Sequence, residues 1–470
     1  MRTRLAGSAV LLSCLALAAP AGAAPWAKVT SVGTTTPADQ VAVLFNSDAS
    51  TSVAWNARTS PSTQSLFVTK VSSAGKVGAT ATVAQDWATL ANPALAAGPA
   101  GVGTRVFFGG IHTTVTGDPN SDLNDAVSTD GGASWAVEPA SIVAPGDQAY
   151  GSPVAAVYTA AGGFKQAWAA TLGLFTHADV SAATPTVAHP SAPSPYDVGM
   201  STDGGLNLAW YSNNAAAPGV YELDLALDGS ESTAPALMPG TSGMTFGMSA
   251  RTPIVALDGG EKWIAYPTGT SRLDRIRVWR VPGKAKPGLS AVLGRTSTNS
   301  YATITNTANG RLWVSWTDIV DGAATTYARR SNLDLTAWGA TVEAGAPKHA
   351  TSAYAVDGTP VENGELNLFA SFSVGAAPGT ATYVTHVLPG LSLARDSGSL
   401  TDGKEHTLRF EVTDAGDPVA KATVKLGGES ATTNSHGVAE LEVTGHGSKM
   451  TAKASALRYV GADLDLKVHH

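Results

Sequence analysis

The chain of 470 residues has a single cysteine, Cys14. One thiol excludes an internal disulfide and any multi-cysteine metal site. Charge is also scarce. Only 14% of residues are charged, the net charge is −7, and no block of Lys and Arg stands out. Nucleic acid and anionic membrane are therefore not expected as partners. Beyond the first residues no apolar run is long enough to cross a bilayer, and Leu466-Lys467-Val468-His469-His470 is neither a sorting tail nor a hydrophobic anchor. Long helical periodicity is missing too. In its place are 50 Gly, 26 Pro and short alternating runs such as Ser65-Leu66-Phe67-Val68-Thr69-Lys70-Val71, which predict many short antiparallel strands.

The first 23 residues stand apart. Arg2 and Arg4 precede an apolar run over 5–17, followed by Pro20 and Ala21-Gly22-Ala23. This is the pattern of a secretory signal peptide cleaved after Ala23, so a secreted, extracellular protein is expected. Cys14 lies inside that leader. Leu11-Leu12-Ser13-Cys14 is similar to a lipidation box, but the apolar run continues past it. A large extracellular domain manages without disulfides because its buried fraction rises with size.

A short strand ending in a small residue and an aromatic recurs seven times. It reads TSVAW (51–55), TRVFF (104–108), KQAW (165–168), NLAW (207–210), WIAY (263–266), WVSW (313–316) and NLFASF (367–372). The mean step is about 53 residues, in the range of propeller and solenoid arrays. Each unit parses as four strands, with small residues in the first and aromatics in the second. The predicted fold is all-β: a seven-bladed β-propeller over 24–390. The seventh unit lacks a fourth strand, and Trp26-Ala27-Lys28-Val29-Thr30-Ser31-Val32 is expected to supply it, latching the ring.

From Leu391 the charges become denser and the aromatics thin out. Alternation in Thr407-Leu408-Arg409-Phe410-Glu411-Val412 and Ala439-Glu440-Leu441-Glu442-Val443 predicts a small β-sandwich over 391–470. The run VTDAGDPVAKATVKLGGESATTNSHGVAELEV resembles bacterial Ig-like and carboxypeptidase-regulatory-like modules. That resemblance implies a spacer or adhesion role without an active site.

Ser128-Thr129-Asp130-Gly131-Gly132-Ala133-Ser134-Trp135 resembles the Asp-box (BNR) hairpin, Ser-x-Asp-x-Gly-x-x-Trp, of sialidase-like propellers. Ser128, Asp130, Gly132 and Trp135 match its signature. The resemblance implies a structural turn between strands three and four, on the face away from the ligand. Ser331 and Trp338 keep the spacing in the sixth unit, with Leu333 in place of the Asp. Ser201-Thr202-Asp203-Gly204-Gly205 reads as an ordinary turn between strands one and two.

The sialidase resemblance implies an arginine triad gripping a carboxylate, a Tyr–Glu nucleophile pair and an Asp acid/base. Arg251, before Thr252-Pro253, sits at a strand-one start and is similar to the family's arginine-proline motif, though in the fifth unit rather than the first. Arg58, Arg272 and Arg295 fall near connecting loops. No Tyr–Glu partnership accompanies them, since Glu222 follows Tyr221 inside strand three. No catalytic set is assigned. Ligand binding is expected at the mouth formed by strand-one starts: Asn92, Tyr150, Tyr196, Arg251, Tyr301 and Tyr354. Asp197, Asn299 and His349 are further polar groups there. The tyrosines read either as a sugar-stacking collar or as packing between units. A glycan or other extracellular ligand is the expected partner, and a monomer the expected state.

Gly117-Asp118-Pro119-Asn120-Ser121-Asp122-Leu123-Asn124-Asp125 offers alternating oxygen ligands but lacks the glycine and distal glutamate of a calcium loop, so it reads as solvated. His112, His177, His349 and His386 show no paired spacing. No metal and no cofactor is expected. Two functions stay open: a glycan-binding or adhesion module, which needs aromatic and amide groups, and an extracellular glycoside hydrolase, which needs two carboxylates across a bond.

Overall fold

In all seven copies of the recurring phrase the terminal aromatic is buried: Trp55, Phe108, Trp168, Trp210, Tyr266, Trp316 and Phe372. The residues just before them, among them Ala54, Ala167, Ala209 and Ala265, are buried too. A strand buried on both faces needs a neighbouring layer on each side, and that requirement organises the molecule.

The computed structural model describes residues 24–36, 40–99, 101–112, 122–138, 154–170, 173–177, 187–189, 192, 195–212, 214–243, 252–257, 260–269, 275–281, 290–295, 301–320, 322–375 and 379–470. The leader over 1–23 and most of the acidic loop at 117–121 lie outside the described residues, as do Tyr150, Arg251, Arg272 and Asn299. Among the described residues the chain is all-β apart from one short 3-10 turn at Glu362–Gly364. Among the described residues no helix is long and apolar enough to cross a membrane.

Units three to six are each a four-stranded antiparallel meander, taken in chain order. Unit three runs Val154–Thr159, Gly163–Ala170, Gly173–His177, Val187–His189; unit four runs Pro195–Thr202, Leu206–Ser212, Gly219–Leu225, Ala236–Leu237. Unit five runs Ile254–Leu257, Glu261–Thr268, Arg275–Val281, Ser290–Arg295; unit six runs Ala302–Asn306, Leu312–Val320, Ala323–Arg330, Val342–Gly345. Units one and two depart from the expected separation. They share one eight-stranded sheet, because strand Val77–Leu90 pairs first with Gln64–Val71 and then, through Trp87 to Leu90, with Thr104–His112.

The seventh unit contributes Ala350–Pro360, Leu366–Val374 and Ala381–Val387, and its fourth strand is Ala27–Lys28. Ala27 pairs with Val384 and Lys28 with Tyr383. The expected latch is present. Val29 is fully buried, and Trp26 donates Nε1–H to the Ala344 carbonyl at 2.9 Å while meeting Phe372 edge-on.

Each apolar cluster in 24–390 draws on neighbouring units. Val68 and Ala54 join Val106 and Phe108; Phe107 joins Phe164 and Trp168; Ala167 and Leu174 join Val198 and Trp210. Tyr211 joins Ile264, Trp263 joins Val314, and Trp313 joins Leu368. The circuit closes where Phe369 and Val384 pack on Val53 and Trp55. The first strands also touch in succession around this circuit, Ala350–Pro360 returning to Ala42–Phe45. Backbones approach closely there: a Cβ on Gly199 would overlap the Thr252 carbonyl oxygen.

Residues from Leu391 onward form two sheets around a core of their own, with Leu408, Phe410, Val412, Val424 and Leu441 at its centre. An ionic seam ties this part to units six and seven. Asp414, almost fully buried, accepts from Arg311 Nη1 at 3.2 Å and from Arg330 Nη2. Arg311 Nη2 also donates to Asp417 at 2.5 Å. Glu365 accepts from Arg458 and lies 2.9 Å from His386 Nε2.

Candidate functional site

The first strands converge on one axis, and many of the side chains lining it are small, among them Ala42, Ala94, Ala155, Ala156 and Gly199. Side chains of that size leave the axis unfilled, and a cavity of about 940 Å³ results. Its described lining is apolar, hydroxyl or amide, with one charged side chain, Asp357. Asp357 Oδ1 accepts from the Gly358 N–H at 2.8 Å and from Thr303 Oγ1 at 3.2 Å. A second hollow of about 40 Å³, beside Gln40 and Val356, shares Asp357.

Among the residues expected at the mouth, Tyr301 and Tyr354 come together, Tyr301 just before the first strand of unit six and Tyr354 inside that of unit seven, not at its start. Burial, with the neighbouring Tyr354 adding to it, pushes the Tyr301 hydroxyl up to about 12. Tyr301 is fixed through its backbone, its carbonyl accepting from Thr317 N–H at 3.1 Å. Tyr354 occupies a register shift between Ala353 and Ala355, and its hydroxyl accepts from Ser373 Oγ at 3.5 Å. A bulge of this kind re-aims one side chain out of the strand's alternation.

Asn92 is placed differently from a group facing ligand. It is buried, its Oδ1 accepts from the Gln40 N–H at 2.9 Å, and its carbonyl accepts from the Val154 N–H at 3.3 Å. It stitches the entrances of units one, two and three. Asp197 is fully buried, with Oδ1 on the Val198 N–H at 2.8 Å. His349 is exposed at positive φ. Tyr196 lies in a described strand, but its side chain is outside the described residues, as is that of Arg295. Neither Tyr301 nor Tyr354 is among the described lining of the 940 Å³ cavity. Arg58 turns away to the Pro61 carbonyl at 3.2 Å.

The turn at 128–135 joins Asp122–Ser128 to Ala136–Val137, the third and fourth strands of unit two. Asp130 Oδ1 accepts from Ser128 Oγ at 2.8 Å and from the N–H groups of Ala133 and Ser134, both at 3.0 Å. Its Oδ2 accepts from Ser134 Oγ at 2.5 Å. These bonds, led by the Ser134 hydroxyl, hold the carboxyl well below the usual carboxylate range. Ser128 Oγ in turn accepts from the Gly132 N–H at 2.7 Å, and Trp135 packs against the core shared by units one and two. Gly132 has φ 93°, which suits glycine.

Two clusters had no local signature. Lys262, in unit five, donates to Glu222 at 2.5 Å and to Asp224, both in unit four. One cation faces two carboxylates, and burial pushes Glu222 up to about 7. On the turn side of the channel, Phe45, Asn306, Asn309 and Asn363 line the cavity. Their asparagines read in sequence as turn formers. Among the described residues no group of three His, Cys, Asp or Glu is arranged to hold a metal.

No family model matches the chain, and no curated protein matches it. Solved structures do. A GH43_1 enzyme from Xanthomonas citri complexed with xylotriose is similar at 13% identity and TM-score 0.33, over 62% of this chain and 84% of that one. The NanB sialidase from Streptococcus pneumoniae is similar at 9% identity and TM-score 0.44, over 62% of this chain and 67% of that one. BBS1N, in complex with ARL6DN, is similar at 10% identity and TM-score 0.42, over 77% and 97%.

Proposed function

We propose that the chain is a secreted seven-bladed β-propeller of sialidase-like type over 24–390, with an Asp-box hairpin at 128–135 and an Ig-like sandwich over 391–470. It works as an extracellular glycan-binding or adhesion module, with its ligand at the axis. The circuit of shared cores and the N-terminal fourth strand support the ring. The two sheets around one core from Leu391 support the sandwich. The leader pattern supports secretion.

The observation that carries the function is the chemistry of the channel. Its described lining supplies hydroxyls, amides and small apolar surface, with Asp357 as the one charge, and the Tyr301–Tyr354 pair stands outside that lining on the first strands of units six and seven. These groups suit the faces and hydroxyls of a sugar. A glycosidase of the usual two-carboxylate type needs them roughly 5–10 Å apart across the bond. A tyrosine nucleophile needs a lowered hydroxyl pKa, and that of Tyr301 is raised.

One observation favours a second reading, an extracellular glycoside hydrolase. Asp197 in unit four is a second carboxylate, one residue before the channel-lining Val198. A glycan array and a panel of chromogenic glycosides, applied to the secreted protein, separate the two. Binding without turnover is the expected result. Turnover lost in Asp197→Asn and in Asp357→Asn would establish the hydrolase instead.

A further inference from the structure

The channel has a second end, on the side of the turns that join first and second strands. Three such turns rim it. Unit one brings Phe45 and Ser47, unit six brings Asn306 and Asn309, and unit seven brings Asn363. Phe45 is 37% exposed, at the end of a strand whose other residues are buried or half-buried. The turn beside it is stiff: Asn46 Nδ2 donates to Ser50 Oγ and Ser52 Oγ, both at 3.0 Å. Its one carboxylate, Asp48, is paired with Lys70 at 3.0 Å.

The amides are largely unused by the fold. Thr307 Oγ1 lies 2.5 Å from Asn309 Oδ1 and 2.9 Å from the Arg311 carbonyl oxygen, contacts that fix the Asn309 side chain and leave the other atom of its amide without a partner among the described residues. Asn306 is exposed and makes no side-chain hydrogen bond among the described residues. Asn363 sits at φ 63°, ψ 18°, a conformation asparagine tolerates better than most residues. In the amide orientation that satisfies its neighbours, its oxygen accepts from Arg458 Nη1 at 2.7 Å and Nη2 at 3.1 Å. The sandwich thus holds one wall of this end. The Gly364 carbonyl next to it is fixed by Trp313 Nε1 at 2.9 Å and Arg330 Nη1 at 2.7 Å.

We propose that this turn-side end is a binding site for an uncharged oligosaccharide. The Phe45 ring is the platform for a sugar's C–H face, and the Asn306 and Asn309 amides meet its hydroxyls. A rigid exposed aromatic beside unpartnered amides, over a cavity wide enough for several sugar rings, is the pattern of such a site. No cationic side chain is among the described lining, so nothing there holds the carboxylate of an acidic sugar. This site rests on the glycan-binding reading of the channel, which it narrows to one end, and is separate from the tyrosine pair.

Titration calorimetry of the full-length protein tests it, with maltotriose, cellotriose, xylotriose and triacetylchitotriose as neutral probes and trigalacturonate as the acidic one. At least one neutral probe binds, and Phe45→Ala and Asn309→Ala each weaken it about tenfold or more. Both positions are exposed, so melting temperatures stay at the wild-type value and report folding. Trigalacturonate does not bind. Failure of all four neutral probes, unchanged affinity in both variants, or equal affinity for trigalacturonate overturns the proposal. Loss of binding in Tyr354→Ala, with Phe45→Ala and Asn309→Ala unaffected, overturns this site and leaves the tyrosine pair standing; the opposite pattern does the reverse.

Discussion

The carboxylate of Asp417, in the C-terminal sandwich, accepts the backbone N–H of Leu333 at 3.0 Å. Leu333 stands in the sixth unit where the hairpin of the second unit has Asp130. A carboxylate missing from the turn's own sequence is supplied from 84 residues away, and Asn332 Oδ1 takes the N–H groups of Thr336 and Ala337 at 2.8 and 3.0 Å. Beside this contact Asp414 neutralises Arg311 and Arg330. Asp414→Ala therefore leaves two buried guanidinium groups short of their shared carboxylate. Urea unfolding should show a loss of about 3–5 kcal/mol, the cost of breaking a buried ion pair on one side. A loss comparable to that of an exposed pair would mean the two parts are merely tethered.

The N-terminal strand closes the last sheet through very few residues. Trp26 fills a space against Phe372 and Val29 is fully buried. Trp26→Ala should lower stability by about 2 kcal/mol, from lost apolar area and its indole hydrogen bond. Deleting residues 25–34 should lower the melting temperature further. An unchanged melting temperature in the deletion would show that the ring holds without its latch.

Glu222 gives stability a pH dependence of a defined sign. Its carboxyl sits at about 7 in the folded chain, raised from 4.5 by burial. Between these values the unfolded chain releases the proton and the folded chain keeps it. Stability from this group is complete below pH 4.5 and declines as pH rises through about 7. The difference in melting temperature between wild type and Glu222→Gln, followed from pH 4 to 8, should shift against the wild type across that window and flatten above it. A difference independent of pH would assign Glu222 an ordinary carboxylate environment.

The turn at 128–135 should matter to folding and not to ligand. Asp130 makes four bonds within its own turn, and it lies far along unit two from the first strand. Asp130→Ala should lower the melting temperature while a glycan identified on the array binds with wild-type affinity. Loss of binding in a protein that melts normally would place the ligand on the hairpin and not at the axis.

The repeat was legible because burial on both faces of each second strand forces the same small-then-aromatic ending, from Trp55 to Phe372. The latch was legible from a missing strand at one end and a spare one at the other. The merger of units one and two was not: the one break between the two pairings of Val77–Leu90 is Asp86 at positive φ, too weak in sequence to separate them. Asn92 looked like a mouth group because an asparagine before a first strand serves equally as a ligand contact or as a stitch, and only its bond to Gln40 decides. The Lys262–Glu222–Asp224 cluster and the Asp414 seam join residues tens of positions apart, where no local periodicity exists to read. Phe45 and Asn309 were not singled out because the property that matters, an exposed ring and an amide over a cavity, belongs to the folded chain.

A crystal structure of the full-length protein, grown with a glycan selected on the array, tests the functional reading most directly. The expected result is sugar density inside the axial channel, within contact distance of Phe45 and Asn309, or beside the channel at the Tyr301–Tyr354 pair. Density on the sandwich or on the outer strands, with the channel empty at saturating glycan, would contradict it.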